Sequence, residues 1–582
     1  MINYGESVMG KNKLNVVLCW HMHQPWYRNG LAGEYRLPWV YLHAIKDYSD
    51  MAMHLEQHPE MRAVVNFAPV LLEQLDDYSQ QLQALLATGK PTQDPFLNLL
   101  AGLTPIPTDA LGRSQILQDC QRCYAPRIIH PWPSFRALLE MVGANELVGI
   151  ENPEYKYSLL YLSEQYFLDL ITWYHIAWLG QSLKQQAVIQ ALIHKAKLFD
   201  ATDRQQLITV IASCLQDLIA RYRALAERGQ VELSMTPYMH PIIPLLQDFT
   251  NMRCALPDAP APQATHYPEG QARARWHLQR GLDCFEKYFQ RRPQGVWLAE
   301  GGVSASAIAL LDELGIRWTA SGEGVWRSSS HLSGYSGEGI DSKRDLLKPH
   351  VLTASQVRIH FRDDGLSDLI GFKYSNWNAQ DAVADFIHNL ENIAKFLGEQ
   401  ASQHSLAIIL DGENAWEYYP NNAVEFLDLL YAELNKSELL KTACFSDLYE
   451  HVPPKDLPKL CAGSWVYGSF STWIGSEEKN RGWDYLVAAK QAYDDALIAG
   501  RLNPDQHYQA SQQLAVCEGS DWFWWFGDYN ATESVRDFER LFRLQIKQVY
   551  QILNLEPPSH LDIPLSKGGH STEIMGTMRR NT

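Results

Sequence analysis

Short apolar runs that stop at polar residues, with helical stretches between them, are the feature that most limits how this chain can fold. Residues 14–20 run into His21-Met22-His23-Gln24-Pro25, 63–67 into Ala68-Pro69, and 230–235 into Thr236-Pro237-Tyr238-Met239-His240. Residues 295–299 run into Glu300-Gly301-Gly302, and 406–410 into Asp411-Gly412-Glu413-Asn414. Each run is too short for a typical helix and reads as a buried strand; Pro25 stops the first and forces a loop. Residues 316–320, 357–361 and 369–372 add further strand candidates. Between them, 70–86, 203–228, 271–289, 304–314 and 379–397 read as helices. Strands that alternate with helices pair in parallel. Over some 450 residues this alternation points to a closed α/β barrel rather than an open sheet.

The chain of 582 residues exceeds one ordinary domain. Residues 1–455 are expected to form the barrel, with a mostly helical insertion at about 90–200 whose stretch 155–179 is dense in Tyr, Leu and Trp. Beyond 453 the strand signal fades. Residues 483–499, 504–517 and 533–553 read as helices of a C-terminal unit over 456–556, and the apolar-poor tail 557–582 is expected to be disordered. Hydrophobic residues make up 46%, enough for a substantial core. A net charge of −17 argues against a sequence-independent nucleic-acid binder or a binder of anionic membranes and suits a neutral substrate.

Nine scattered cysteines suggest free thiols in a reducing compartment. Cys120 and Cys123 are the one close pair, and no second CxxC or histidine pair completes a zinc or redox site. The first 13 residues lack a long apolar core and 14–20 is too short to span a membrane, so a cytoplasmic location is expected.

Glu300 and Asp411 each close a strand. Cleavage of a glycosidic bond needs one carboxylate and one protonated acid on opposite faces of a sugar. Strands of one barrel would bring both acids to one mouth. The competing reading is a strand-end carboxylate that caps a helix or pairs with an arginine. Glu413, two residues past Asp411, is a rival acid or a ligand for a sugar hydroxyl. His21 and His23 share period-two spacing, so both can face one side; they read as contacts for sugar hydroxyls, or as metal ligands with His240 and Asp411. Asp368 reads equally as a sugar ligand or a helix N-cap. With 18 Trp, 28 Tyr and 19 Phe the chain has rings for sugar stacking as well as for its core. Trp522, Trp524 and Trp525 could serve either purpose, with Asp521 adding a hydrogen bond.

Five segments in order resemble the ordered sequence regions of glycoside hydrolase family 57: His23-Gln24-Pro25, Gly229-Gln230-Val231-Glu232, Trp297-Leu298-Ala299-Glu300, Asp411-Gly412-Glu413-Asn414 and Asp521-Trp522-Phe523-Trp524-Trp525. The resemblance runs from about 14 to 555, and the strings that begin at Asp411 and Gly519 are most similar to the amylopullulanase- and α-amylase-like branch. Trp26 stands where the family more often has tyrosine; Tyr27 follows it.

The resemblance implies an incomplete (β/α)7 barrel with a helical domain at its mouth, retaining chemistry on α-glucans, and no required metal or other cofactor. It implies Glu300 as nucleophile and Asp411 as general acid/base, with substrate contacts from His21, His23, Glu232, His240, Trp297, Asp368, Glu413, Asp521, Trp522 and Trp524. The expected activity is cleavage of α-1,4 linkages, with α-1,6 as a further option, in glycogen- or starch-like chains. A 4-α-glucanotransferase or branching enzyme is the alternative of the same class. A metal-dependent deacetylase or mannosidase, and a non-catalytic glucan-binding protein, are alternatives of other classes. No oligomeric state follows from the sequence.

Overall fold

The computed structural model describes residues 12–143, 158–335 and 340–569. Their strands are β1 Leu14–Met22, β2 Ala63–Phe67, β3 Val231–Met235, β4 Trp318–Ser321, β5 His350–Leu352, β6 Arg358–Phe361, β7 Ser405–Asp411, β8 Leu440–Thr442 and β9 Lys455–Leu457. β1 is flanked in parallel by β2 and β7, and β2 by β3. From β3 the ladder continues through the parallel bridges Met235–Val296 and Gly295–Trp318 to β4, then to β6, and from Arg362 back to Ala407 of β7. The ring thus closes through seven parallel staves, with 295–297 as the shortest. This is the incomplete (β/α)7 barrel. β8 pairs with the first three residues of β1, while β5 and β9 extend the sheet beyond β6.

Alternation along each strand sorts its side chains. Val17, Cys19, Val64, Trp297, Trp318, Ala407 and Ile409 form one core cluster. Val16, Leu18, Trp20, Val65 and Ile408 belong to the other, which packs the helices. The inward series 17, 19 continues to His21, and 407, 409 to Asp411. Register aligns His21 with both Asn66 and Asp411, and Asn66 with Ser234. One layer at the barrel mouth therefore carries His21, Asn66, Ser234 and Asp411.

Two expected strands differ. Of 295–300 only 295–297 joins the ladder; Ala299–Gly301 is a 3-10 turn. Residues 369–372 are not a strand but part of the helical turn Leu369–Lys373. They continue the helix Asp364–Asp368, which Asp363 caps by accepting from Leu366 N. A four-residue apolar run carries no periodicity that separates strand from buried helix.

The insertion is helical where described, including Pro95–Ala101, Ala110–Asp119, Pro133–Glu140 and Glu164–Trp178; 155–157 of the aromatic-rich stretch lie outside the described residues. C-terminal helices Glu477–Ile498, Pro504–Cys517, Ser520–Trp525 and Thr532–Ile552 follow. The expected disorder from 557 does not hold up to 569. Leu561 and Leu565 are buried, Leu565 N donates to Glu539, and Ser566 Oγ donates to Glu478. Two leucines and these bonds suffice to seat an otherwise polar segment; 570–582 lie outside the described residues. Among the described residues no helix is long and apolar enough to cross a membrane.

Candidate active site

The mouth layer opens into a pocket lined by His21, His23, His240, Glu300, Asp411, Glu413, Asp521 and Trp524, all expected from the sequence. Five elements deliver them, the fifth being helix Ser520–Trp525 with Asp521 and Trp524. β1 and the residues after it supply the first two histidines, and the loop after β3 supplies His240. The turn after the 295–297 stave supplies Glu300, and β7 supplies Asp411. Helix Ser520–Trp525 is docked onto the barrel by Ser520 N donating to His240 O at 2.9 Å.

Glu300 adopts a left-handed backbone, φ 59° and ψ 23°. Such a conformation costs about 1–3 kcal/mol in a non-glycine residue and persists only where surroundings enforce it. Here Gly301 N and Gly302 N donate to Leu298 O and Ala299 O at 2.8 and 2.9 Å. At Gly301, φ is also positive, and a Cβ would lie 2.9 Å from the Trp297 ring, so only glycine fits. The Glu300 carboxylate accepts from Trp465 Nε1 at 3.0 Å and lies 3.4 Å from Ser520 Oγ and 4.0 Å from His240 Nδ1. Asp411 accepts from Asn414 Nδ2 at 2.9 Å. His23 Nε2 meets Asp521 at 2.8 Å.

Burial sets the electrostatics. It pushes Glu300 up to about 8, helped by the charges of Asp521 and Asp411 and opposed by the Trp465 and Ser520 bonds. It pushes Asp411 up to about 6, against the Asn414 bond and the pull of His23 and Arg362. Glu413 is raised well above the usual carboxylate range by burial, then by Asp411 and Asp47. Burial lowers His21 to about 3 and His240 well below the usual imidazole value, so both rings are neutral. At neutral pH Glu300 and Asp411 share one proton.

Four expected contacts lie elsewhere. Glu232 sits one inward layer below the mouth, level with Val64, where it accepts from Trp318 Nε1 at 2.7 Å and Ser446 N at 2.9 Å. Trp297 is fully buried beneath the site, edge-on to Trp465. Asp368 pairs with Arg362 at 2.7 Å. Trp522 is buried against Phe538 and Phe542. Glu232 keeps the inward face of β3 but lies one layer too deep, and the helical period of 520–525 turns Trp522 away from the pocket.

The sequence reading also missed residues that line the pocket: Trp39, Arg122, Trp465, Asp537 and Phe538. Tyr27 lines it too, whereas Trp26 bonds to Gly30 O. Arg122 shows that the insertion reaches the site. It pairs with Asp537 of helix Thr532–Ile552 at 2.8 Å. Tyr124 N and Arg127 Nε tie the same segment to Glu417 and Tyr418, each at 2.9 Å. Cys120 and Cys123 are buried free thiols beside it.

His23, His240 and Asp521 bring potential metal ligands together, but the rings do not suit a shared ion. They stack at 3.8 Å with 15° between planes. Their lone pairs therefore lie in nearly parallel planes and do not meet at one point, and a tetrahedral ion needs ligands that converge on it. Expected partner Asp411 is not in the cluster.

The fold is similar to that of the TK1436 branching enzyme from Thermococcus kodakaraensis, solved with glucose (16% identity, TM-score 0.53, 93% of this chain and 90% of that one). It is similar in the same way to a branching enzyme from Pyrococcus horikoshii (15%, 0.53, 95% and 97%). The α-amylase AmyC from Thermotoga maritima also matches (13%, 0.53, 98% and 98%). The sequence pattern of glycosyl hydrolase family 57 matches residues 17–461, and the chain belongs to that family.

Proposed function

We propose that this protein is a retaining enzyme of α-glucans, with Glu300 as nucleophile and Asp411 as general acid/base. The observation that carries the reading is the convergence of these two carboxylates in one pocket, held from different staves; burial raises both acids, Glu300 further than Asp411. Asp411 gives its proton to the glycosidic oxygen as Glu300 attacks the anomeric carbon; the glycosidic C–O bond breaks and a glycosyl ester forms on Glu300. Asp411 then takes a proton from an incoming hydroxyl, which attacks the anomeric carbon and frees Glu300.

Burial by itself favours the shared proton on Glu300. A glycosidic oxygen beside Asp411 gives that proton an acceptor there, and the Trp465 N–H steadies the carboxylate left on Glu300. Water as the second acceptor gives hydrolysis, and a sugar hydroxyl gives transfer. Trp39, Trp465, Trp524 and Trp525 around the pocket favour an acceptor sugar as a second reading, that of a glucanotransferase or branching enzyme. The same fold serves branching enzymes and an amylase among the relatives.

Proton NMR of products from a maltooligosaccharide ladder, with and without EDTA, tests this. The expected result is initial release of the α-anomer, unaffected by EDTA and lost in Glu300→Ala. Longer as well as shorter chains would identify transfer. Activity that survives Glu300→Ala, or that EDTA abolishes, would refute the two-carboxylate assignment.

A further inference from the structure

A chain of side-chain contacts starts at Glu300 and ends at a residue outside every sequence motif. Ser520 Oγ lies 3.4 Å from Glu300 Oε1 and 2.8 Å from His240 Nδ1. His240 Nε2 lies 3.2 Å from His21 Nε2, and His21 Nδ1 lies 2.7 Å from Asn66 Oδ1. Asn66 is fully buried at the mouth end of β2. Its amide is held between two hydroxyls, Ser234 Oγ at 2.9 Å and Thr236 Oγ1 at 2.8 Å.

A neutral imidazole has one N–H and one bare nitrogen, and a serine has one hydroxyl hydrogen. Along this chain the hydrogens must therefore all point the same way. When the Asn66 carbonyl faces His21, the hydrogens sit on His21 Nδ1, on His240 Nε2, and on Ser520 directed at His240. Ser520 then offers Glu300 only a lone pair, which suits a protonated Glu300. When the amide is turned over, Asn66 Nδ2 donates to His21 Nδ1 and every hydrogen reverses. Ser520 then donates to a Glu300 carboxylate. Ser234 and Thr236 satisfy either orientation, because a hydroxyl both donates and accepts.

We infer that Asn66 is a positioning residue whose amide orientation sets the direction of the chain, and with it whether Ser520 gives Glu300 a hydrogen or receives one. Its catalytic consequence rests on Glu300 being the nucleophile. Glu300 also faces Asp411, Asp521 and Trp465, and His23 stacks on both His21 and His240. Of all these groups only His21 bonds to Asn66, so replacing Asn66 alters the far end of the chain alone.

The test is nitrogen-15 NMR of histidine-labelled full-length protein, with kinetics of Asn66→Leu, Ser520→Ala and the double variant. In the wild type, His21 and His240 are expected as a matched pair: Nδ1–H with Nε2–H, or both reversed. Asn66→Leu is expected to lose the fixed pairing, lower kcat by about tenfold with little change in KM, and move the limb of the pH profile that reports Glu300. In the Ser520→Ala background the chain is already cut, and Asn66→Leu should change neither kcat nor the pH profile further. Unmatched tautomers in the wild type, or an equal loss from Asn66→Leu in both backgrounds, would overturn the inference. Matched tautomers together with an active Glu300→Ala would sustain the chain and remove the nucleophile reading instead.

Discussion

Trp465 holds Glu300 at both ends: its backbone N donates to Glu300 O at 3.0 Å, and its indole Nε1 donates to the carboxylate at 3.0 Å. The backbone bond helps enforce the left-handed turn, and the indole bond favours the ionised acid. Trp465→Phe removes only the second. A hydrogen bond to a charged group contributes about 1.5–3 kcal/mol, so kcat should fall about ten- to a hundredfold while Tm changes little. Steady-state kinetics and a thermal melt check both halves.

The shared proton gives a bell-shaped pH dependence. Below about 6 Asp411 gains a second proton for the pair, and above about 8 Glu300 loses the last one. kcat/KM should peak between these limits and fall on either side, as read from initial rates across pH.

The same shift predicts a stability effect. Glu300 is raised in the folded protein from 4.5 to about 8. Between those values the folded state binds more protons than the unfolded one, so this group destabilises the fold progressively as pH rises through the window. Glu300→Gln cannot ionise. It should raise Tm relative to wild type above about pH 8 and leave it nearly unchanged near about pH 4, by melts in matched buffers.

Arg122 and Asp537 meet at the pocket edge with about a quarter of each side chain exposed (24% and 27%). A pair about three-quarters buried is costly to break from one side, because Asp537 loses its partner in a partly desolvated place. Arg122→Ala should lower Tm modestly and raise KM more for long maltooligosaccharides than for short ones. Equal KM changes across the ladder would show that the pair does not meet the glucan.

Neighbouring tryptophans should behave oppositely. Trp524 faces the pocket, whereas Trp522 is buried among Phe538 and Phe542. Trp524→Ala should raise KM about tenfold with Tm preserved, consistent with loss of one ring contact. Trp522→Ala should cost about 3–5 kcal/mol of stability through the cavity it leaves, measured by denaturant unfolding.

Where the chain alternates between strand and helix was legible in the residues alone, because periodicity and breakers are local. Helices at Ala379–Leu397 and Pro504–Cys517 fall on the expected residues for that reason. The sequence also placed Glu300 and Asp411 where apolar runs end, and both line the pocket. Which side chains meet depended on the folded chain. Glu232 belongs to a recognisable motif, yet strand register sets it one layer below the mouth. Trp465 and Arg122 belong to no motif, yet ring closure and the insertion carry them to the pocket. Asn66 looks like one polar residue in an apolar strand until register places it beside His21. Contacts between residues hundreds of positions apart depend on register and packing, which no local pattern encodes.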